Sequence, residues 1–359
     1  MSLTTIKLEA PYLIFFGDVG QHMNAKTGLG IAHWAADRCA GQMHFAGFPV
    51  DSGQPNLSVA EAIDAGVRTV VIGVAPTGGK LKDSWLPPLI ELARAGIDIA
   101  AGLHSRLSAV PELVDAAGIG GGQLIDVRVP PADIPCGLGR RRSGRRVLTV
   151  GTDCAVGKMY SSLALHRELL QRNIDATFRA TGQTGIMIAG DGIPIDAVVS
   201  DFVAGAAEQL SPDNHDDHWD VIEGQGSLIH PAYAGVTLGL IHGSQPDALV
   251  LCHDAARTSI KDVDGHFPIP SLDDVLMQAL SAARLTNPDC LCAGVCVNTS
   301  SMQESDRAAY LSGVQEQLGI PAVDPIATGI GPIADFLLEK VSRADAPAAA
   351  SRRGDQRAV

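Results

Sequence analysis

Short apolar runs alternate with segments of helical period along most of the chain, the arrangement that builds an α/β fold with a mainly parallel sheet. In the first third, the runs at residues 12–18, 68–74, 97–100 and 124–127 read as strands. Residues 28–39, 59–64, 86–95 and 110–116 carry the helical pattern between them. Ser58 with Glu61 three residues on is a capping box, which marks one helix start. The βαβα order with short Gly-containing links predicts a Rossmann-like open sheet. GxGxxG is absent after residues 12–18, so NAD is not expected there.

A second alternation follows residue 146, with strands at 147–150, 175–180, 221–223, 248–252 and 291–297. Its helices fall at 158–172, 195–208, 272–284, 303–318 and 333–340. Between the two alternations, residues 130–146 read PPADIPCGLGRRRSGRR, Pro and Gly punctuation and then five arginines in seven positions. Such a segment reads as a solvated, charge-balancing connector; the sharper alternative is that one or two arginines grip a ligand phosphate. After Lys340 the chain turns Ala-, Arg- and Asp-rich without an apolar period, which predicts disorder. The expected organisation is a Rossmann-like domain over 1–139, an Arg-rich linker over 140–146, a P-loop NTPase-like parallel-sheet domain over 147–341 and a disordered tail over 342–359.

The composition agrees with two globular domains: 359 residues, 46% hydrophobic and 19% charged. The net charge of −13 argues against a general binder of nucleic acid or of anionic membranes. No apolar run reaches membrane-spanning length, and the N-terminal MSLTTIKLEA has no basic region followed by an apolar stretch, so a cytoplasmic protein without a signal peptide is expected. Seven cysteines, an odd number, fit free thiols in a reducing compartment. Cys290, Cys292 and Cys296 lie in CLCAGVCVNTS, where strand alternation puts them on one buried face rather than around a metal.

The chemistry concentrates after the first strand of the second alternation. The run RVLTVGTDCAVGKM over 146–159 reads as a phosphate loop of the GxxxxGK kind, with a strand before it and a helix after it. Gly151 and Gly157 let successive N–H groups turn inward, the helix N-terminus adds positive potential, and Lys158 brings a full charge. A hydroxyl should follow the lysine to ligate Mg²⁺, but Met159 stands there, and Thr152, Ser161 and Ser162 compensate only in part. Downstream, HWDVIEGQGS over 218–227 reads as a strand ending in Glu223 before a Gly-rich turn, and LCHDAAR over 251–257 ends another strand in the same way.

GTDCAVGKM, ATGQTGI over 180–186, VIEGQGSLIHP over 221–231, HDAAR over 253–257 and NAKTGLGIAHW over 24–34 together resemble a two-domain bacterial family. Its members join a Rossmann-like domain to a P-loop domain, and its characterised activity is D-glutamate N-acetyltransferase. The GTD…GK and EGQG elements are also distantly similar to dethiobiotin synthetase, an ATP- and Mg²⁺-dependent enzyme. The resemblance implies an acetyl-CoA-dependent N-acetyltransferase acting on D-glutamate or a related D-amino acid. Gly151, Thr152, Asp153, Cys154, Ala155, Val156, Gly157, Lys158, Met159 and Tyr160 would then hold the coenzyme A phosphates.

Acetyl transfer needs an oriented thioester, donors for the developing oxyanion and a base for the ammonium. Glu223, His230, His253 and Asp254 are the candidate bases, and the sequence does not choose among them. Arg257 or Arg179 would face a substrate carboxylate, and Gln183, Thr184 and Gly185 offer a polar loop for the substrate. Lys26 in the first βα connection meets either a ligand or solvent. An ATP- and Mg²⁺-dependent ligase or kinase and a non-catalytic nucleotide-binding protein are the competing readings. Whether Mg²⁺ binds stays open. The expected partners are a small amino acid and acetyl-CoA, with a homo-oligomer as the base-rate expectation.

Overall fold

A computed structural model describes residues 5–48, 50–74 and 79–344. They form two compact units, one ending at Asp133 and including Ala180–Val198, the other holding Ile134–Arg179 and the chain from Val199 onward. Both are built on parallel sheets.

The first unit opens with β1 (Ile6–Lys7) and β2 (Tyr12–Gly17), followed by α1 (Lys26–Trp34), β3 (Cys39–His44), α2 (Val59–Asp64) and β4 (Thr69–Ile72). It continues through α3 (Leu86–Arg94), β5 (Asp98–Ala101), α4 (Pro111–Gly120) and β6 (Leu124–Asp126). The sheet order β3-β2-β4-β5-β6, all parallel, is that of a doubly wound Rossmann-like fold, and β2 is buried along its whole length as an inner strand should be. The capping box forms: Glu61 N–H donates to Ser58 Oγ at 3.3 Å and Ser58 N–H to Glu61 Oε2 at 2.8 Å. Helix α1 docks closely at Gly28, whose N–H donates to Gly73 O at 2.8 Å and where a Cβ would come within 2.5 Å of the Phe16 ring. The helix expected over 28–39 stops at Trp34, and the chain re-enters the sheet as edge strand β3, whose CAGQMH carries no strong alternation.

The second unit starts with β7 (Arg145–Gly151), α5 (Lys158–Gln171) and β8 (Ala176–Arg179). The chain then returns to the first unit as α6 (Gln183–Ala189) and β9 (Asp191–Gly192), where β9 pairs antiparallel with β1 and Thr184 Oγ1 lies 3.3 Å from Thr27 Oγ1 of α1. Back in the second unit come α7 (Val203–Leu210), β10 (Trp219–Ile222), α8 (Ala234–Ser244), β11 (Ala248–Asp254) and α9 (Leu272–Arg284). The series ends with β12 (Leu291–Asn298), α10 (Glu304–Leu318), β13 (Ala322–Val323) and α11 (Gly331–Ala344).

The parallel order β13-β12-β11-β7-β10-β8 sets β7 between β10 and β11. The loop leaving β7 is therefore flanked by the carboxyl ends of β10 and β11, the crevice where ligands collect in open α/β sheets.

Several expectations need correction. The helix expected over 195–208 begins only at Val203, after two short 3₁₀ turns at Ile195–Ala197 and Ser200–Phe202, because the β-branched Val198 and Val199 between them take extended backbone angles. The polar loop expected at Gln183, Thr184 and Gly185 is the first turn of α6. Helix α8, apolar and Gly-rich with no clear polar face, and the two-residue β13 escape periodicity altogether. Helix α11 runs through Ala344, so residues 342–344 are helical rather than tail. The rest of the expected tail lies outside the described residues.

The connector is not uniformly solvated. Arg142 and Arg146 are buried and serve as structural ties. Arg142 Nη2 donates to Gly243 O at 2.6 Å and Ser244 O at 3.1 Å, the open carbonyls at the end of α8, and burial beside Arg146 pulls its pKa down to about 10. Arg146 donates to Ser211 Oγ at 2.8 Å and to the carbonyls of Arg142, Ser143, Gly144 and Pro212. These guanidiniums hold peptide carbonyls, not phosphate. All seven cysteines are free, with Cys252, Cys290, Cys292 and Cys296 buried. No helix among the described residues is long and apolar enough to cross a membrane.

Candidate active site

Five residues, not four, separate Gly151 from Gly157, so the loop is one residue longer than GxxxxGK, and Thr152 takes the place of that pattern's first glycine. Its backbone reverses hand twice, at Ala155 (φ 53°) and Gly157 (φ 101°), which is the turn geometry that aims N–H groups into a concavity. Helix α5 begins directly after Gly157 and adds the positive end of its dipole. Lys158 folds over the loop, with Nζ donating to Asp153 O at 2.8 Å. Burial lowers its pKa, opposed by nearby Cys252, Cys154, Asp153 and Glu223. The fit to an anionic ligand is good: a concave backbone, a helix start and a buried cation converge.

The three hydroxyls considered as replacements for the missing Mg²⁺ ligand each have a protein partner, Ser161 meeting the buried thiols of Cys252 and Cys296. Met159 is half-buried in the first turn of α5. Ser162 Oγ lies 3.0 Å from Thr149 Oγ1 on β7, and that threonine accepts the Gly224 N–H at 2.9 Å. Thr152 Oγ1 is 3.0 Å from His253 Nδ1. Gly224 sits so close to β7 that a Cβ there would come within 1.7 Å of Thr149 O, which fixes the turn after β10 over the loop and brings Glu223 to Lys158.

Asp153 is the hub of the loop. Fully buried, it accepts at Oδ1 from the Cys154 N–H (2.7 Å) and at Oδ2 from Arg257 Nη1 (3.0 Å) and the Lys261 N–H (2.9 Å). Arg257 Nη1 also donates to Cys154 O at 2.6 Å, so this guanidinium ties the P-loop to the end of β11. Asp254 accepts from the Ala256 N–H at 3.0 Å and from Asn298 Nδ2 at 3.3 Å, capping the turn after the strand. Arg179, the other cation considered for a carboxylate, is instead paired to buried Asp220 at 2.6 Å.

His253 and His230 differ in a way the sequence could not reveal. His253 faces a hydroxyl at Nδ1, a partner that can accept as well as donate, and burial depresses its pKa so that the ring stays neutral at neutral pH. With Arg257 it lines an open cavity of about 640 Å³ between the end of β11 and helices α9 and α10, where Thr258, Tyr310 and Gln317 also contribute. His230 is buried and accepts the Ala232 N–H at Nδ1 at 3.1 Å. Asp153, Cys154 and His230 have ligand atoms within 4.8 Å of one another. Burial raises the pKa of the Cys154 thiol, so it is not a thiolate at neutral pH.

Gln183, Thr184 and Gly185 belong to the first unit, where Gln183 packs against Gly102 after β5 and Thr184 meets Thr27. Lys26 is exposed at the start of α1. Thr149, Ser227 and Lys261 were not singled out by sequence. Ser227, buried with its hydroxyl unpartnered among the described residues, directly follows EGQG and was the most legible of the three.

Residues 39–130 match a Rossmann-like domain of unknown function, DUF1611_N, and residues 135–334 match the P-loop domain DUF1611_C. A protein of Tritonibacter scottomollicae named D-glutamate N-acetyltransferase is 47% identical over 92% of this chain and 99% of its own. One of the same name from a Pseudoalteromonas species is 44% identical over 91% of this chain and 98% of its own. The crystal structure of a DUF1611 family protein from Anabaena variabilis superposes with a TM-score of 0.77 at 33% identity, covering 92% of this chain and 99% of that one.

Proposed function

The chain belongs to the two-domain DUF1611 family, and from that premise we propose that it transfers the acetyl group of acetyl-CoA to the amine of D-glutamate or a related D-amino acid. The observation that carries this reading is a P-loop built for an anion, with Met159 where the Mg²⁺-ligating hydroxyl of a nucleotide-splitting loop would stand. Met159 stands after the lysine, and the nearby hydroxyls of Thr152 and Ser162 are turned to His253 and Thr149. Such a loop anchors phosphates without having to split them, which is what coenzyme A requires.

The inward backbone of Gly151–Gly157 and the Lys158 ammonium hold the coenzyme A phosphates. His253, with Nδ1–H donated to Thr152 Oγ1, keeps a lone pair on Nε2 toward the cavity and removes a proton from the substrate ammonium. The freed amine attacks the thioester carbon, the C–S bond breaks, and the departing sulfur takes a proton, giving the N-acetyl amino acid and coenzyme A. Glu223 balances the Lys158 charge, and Asp254 and Arg257 shape the site rather than react. The high thiol pKa of Cys154 supports direct transfer over an acetyl-cysteine intermediate.

The test is thiol release from acetyl-CoA with a panel of D- and L-amino acids, with Mg²⁺ and with chelator. Release with D-glutamate or its close analogues, indifferent to chelator and lost in Lys158→Ala, is expected. Glu223 beside Lys158 is what favours a dethiobiotin synthetase-like ligase. Silence with every amine, together with Mg²⁺-dependent consumption of ATP, would establish that ligase instead.

A further inference from the structure

Helix α10 turns one face to the cavity that His253 and Arg257 line, presenting Tyr310, Gly313, Val314 and Gln317. At helical spacing these four positions form a single strip about 10 Å long. Tyr310 marks the His253 end, where burial and the Asp254 charge raise its pKa. Gln317 marks the other end, donating to Asp273 in the first turn of α9.

Gly313 stands between them, and a Cβ built there meets no atom within 4 Å. A glycine in the interior of a helix is destabilising relative to alanine, and here no close neighbour requires one. Its effect is to leave the cavity wall bare in the middle of its length, in a space also lined by apolar Ile269, Pro270 and Leu272.

Charge decides which substrate this space suits. Among the described residues that line it, Arg257 is the one permanent cation, and its Nη1 is engaged by Asp153 Oδ2 and Cys154 O. A chain of phosphates finds nothing here to match the P-loop backbone and Lys158. A small molecule with an aliphatic stem and a polar tip finds Val314 beside the bare position and the Gln317 amide beyond it.

We infer that Gly313 is a specificity-determining residue. The side chain of the acceptor amino acid lies along α10, its stem against Gly313 and Val314 and its tip toward Gln317. The bare position admits stems of glutamate length and longer. The inference rests on the acetyl-transfer reading for the acceptor amine at His253, and on the cavity for the course of the side chain.

The test uses the full-length protein. Gly313→Ala and Gly313→Leu should unfold at or above the wild-type temperature, because both residues are better helix formers than glycine. Gly313→Leu should raise KM for D-glutamate about 10-fold, as filling an occupied space does, with KM for acetyl-CoA within about 3-fold. Its kcat/KM for D-aminoadipate, one methylene longer, should fall about 10-fold further than that for D-glutamate, and Gly313→Ala should lie between wild type and Gly313→Leu on both measures. Equal losses with the two acceptors, or a KM effect confined to acetyl-CoA, would overturn the assignment. Thiol labelling gives a readout that needs no turnover. In Gly313→Cys, reaction of the introduced thiol with a methanethiosulfonate reagent, followed by peptide mass spectrometry, should be slowed several-fold by saturating D-glutamate and not by coenzyme A alone. Protection by coenzyme A without protection by D-glutamate would overturn the inference and give the cavity to the coenzyme. Wild-type protein that acetylates no amino acid would defeat the acetyl-transfer reading, while the labelling would still judge whether an amino acid lies along α10.

Discussion

At the scale of single residues, what decides chemistry is which kind of atom faces each titratable group. His253 loses affinity for its proton because burial penalises the imidazolium. The acid limb of kcat/KM should accordingly fall below about 6.5, the ordinary histidine value, and should vanish together with most of the activity in His253→Ala. Stability moves in the same sense. The unfolded chain takes up a proton that the folded ring refuses, so His253 destabilises the fold as pH falls below about 6.5 and has no effect above it. Chemical denaturation of wild type and His253→Gln at pH 5 and 8 would show a pH-dependent gap between them only at the lower value. Cys154 is half-buried, with a thiol of raised pKa, so Cys154→Ser should keep kcat within about 3-fold and no acetyl-enzyme should be trapped by mass spectrometry. The loop's residues were legible in the sequence, and so were Glu223, His253 and Arg257. Their roles were not, because an arginine that ties Asp153 to Cys154 and one that would grip a substrate are the same letter.

At the scale of elements, legibility followed the strength of the local pattern. The helices at Val59–Asp64 and Leu272–Arg284 match the expected bounds residue for residue, each starting at a serine cap with a carboxylate three positions on. Strand β3 and helix α8 were lost because CAGQMH and AGVTLGLIHGS carry neither period cleanly. The connector misled for a different reason, since a run of arginines signals solvent unless acceptors lie in reach, and the carbonyls of Pro212, Gly243 and Ser244 and the Ser211 hydroxyl come from segments about 65–100 positions away. Replacing Arg146 with Met removes donors from four carbonyls and from Ser211 and should cost about 3 kcal/mol in urea unfolding, whereas exposed Arg140→Met should cost under 1 kcal/mol. Gly224→Ala should be worse placed than either, because the clash is with the carbonyl of a buried strand and no rotamer relieves it; loss of soluble protein on expression is the expected readout.

At the scale of the whole molecule, the alternation of strands and helices disclosed both sheets but not how the chain is divided between them. Pattern reading assumes that neighbours in sequence share a core. Residues Ala180–Val198 do not: they leave the P-loop sheet after β8, place α6 beside α1 and pair β9 with β1, and only then return. This detour has a consequence in time. Synthesis proceeds from the N-terminus at about 5–20 residues per second, and a unit made of one continuous segment could close as soon as that segment leaves the ribosome. Here β1 has no strand partner until Gly192 has been made, so several seconds pass in which β7, α5 and β8 of the second unit are already available while the first still waits for its last piece. The two units are interleaved in the order of their birth, and a ribosome stalled between Asp133 and Ala180 would hold an N-terminal unit that cannot yet be finished.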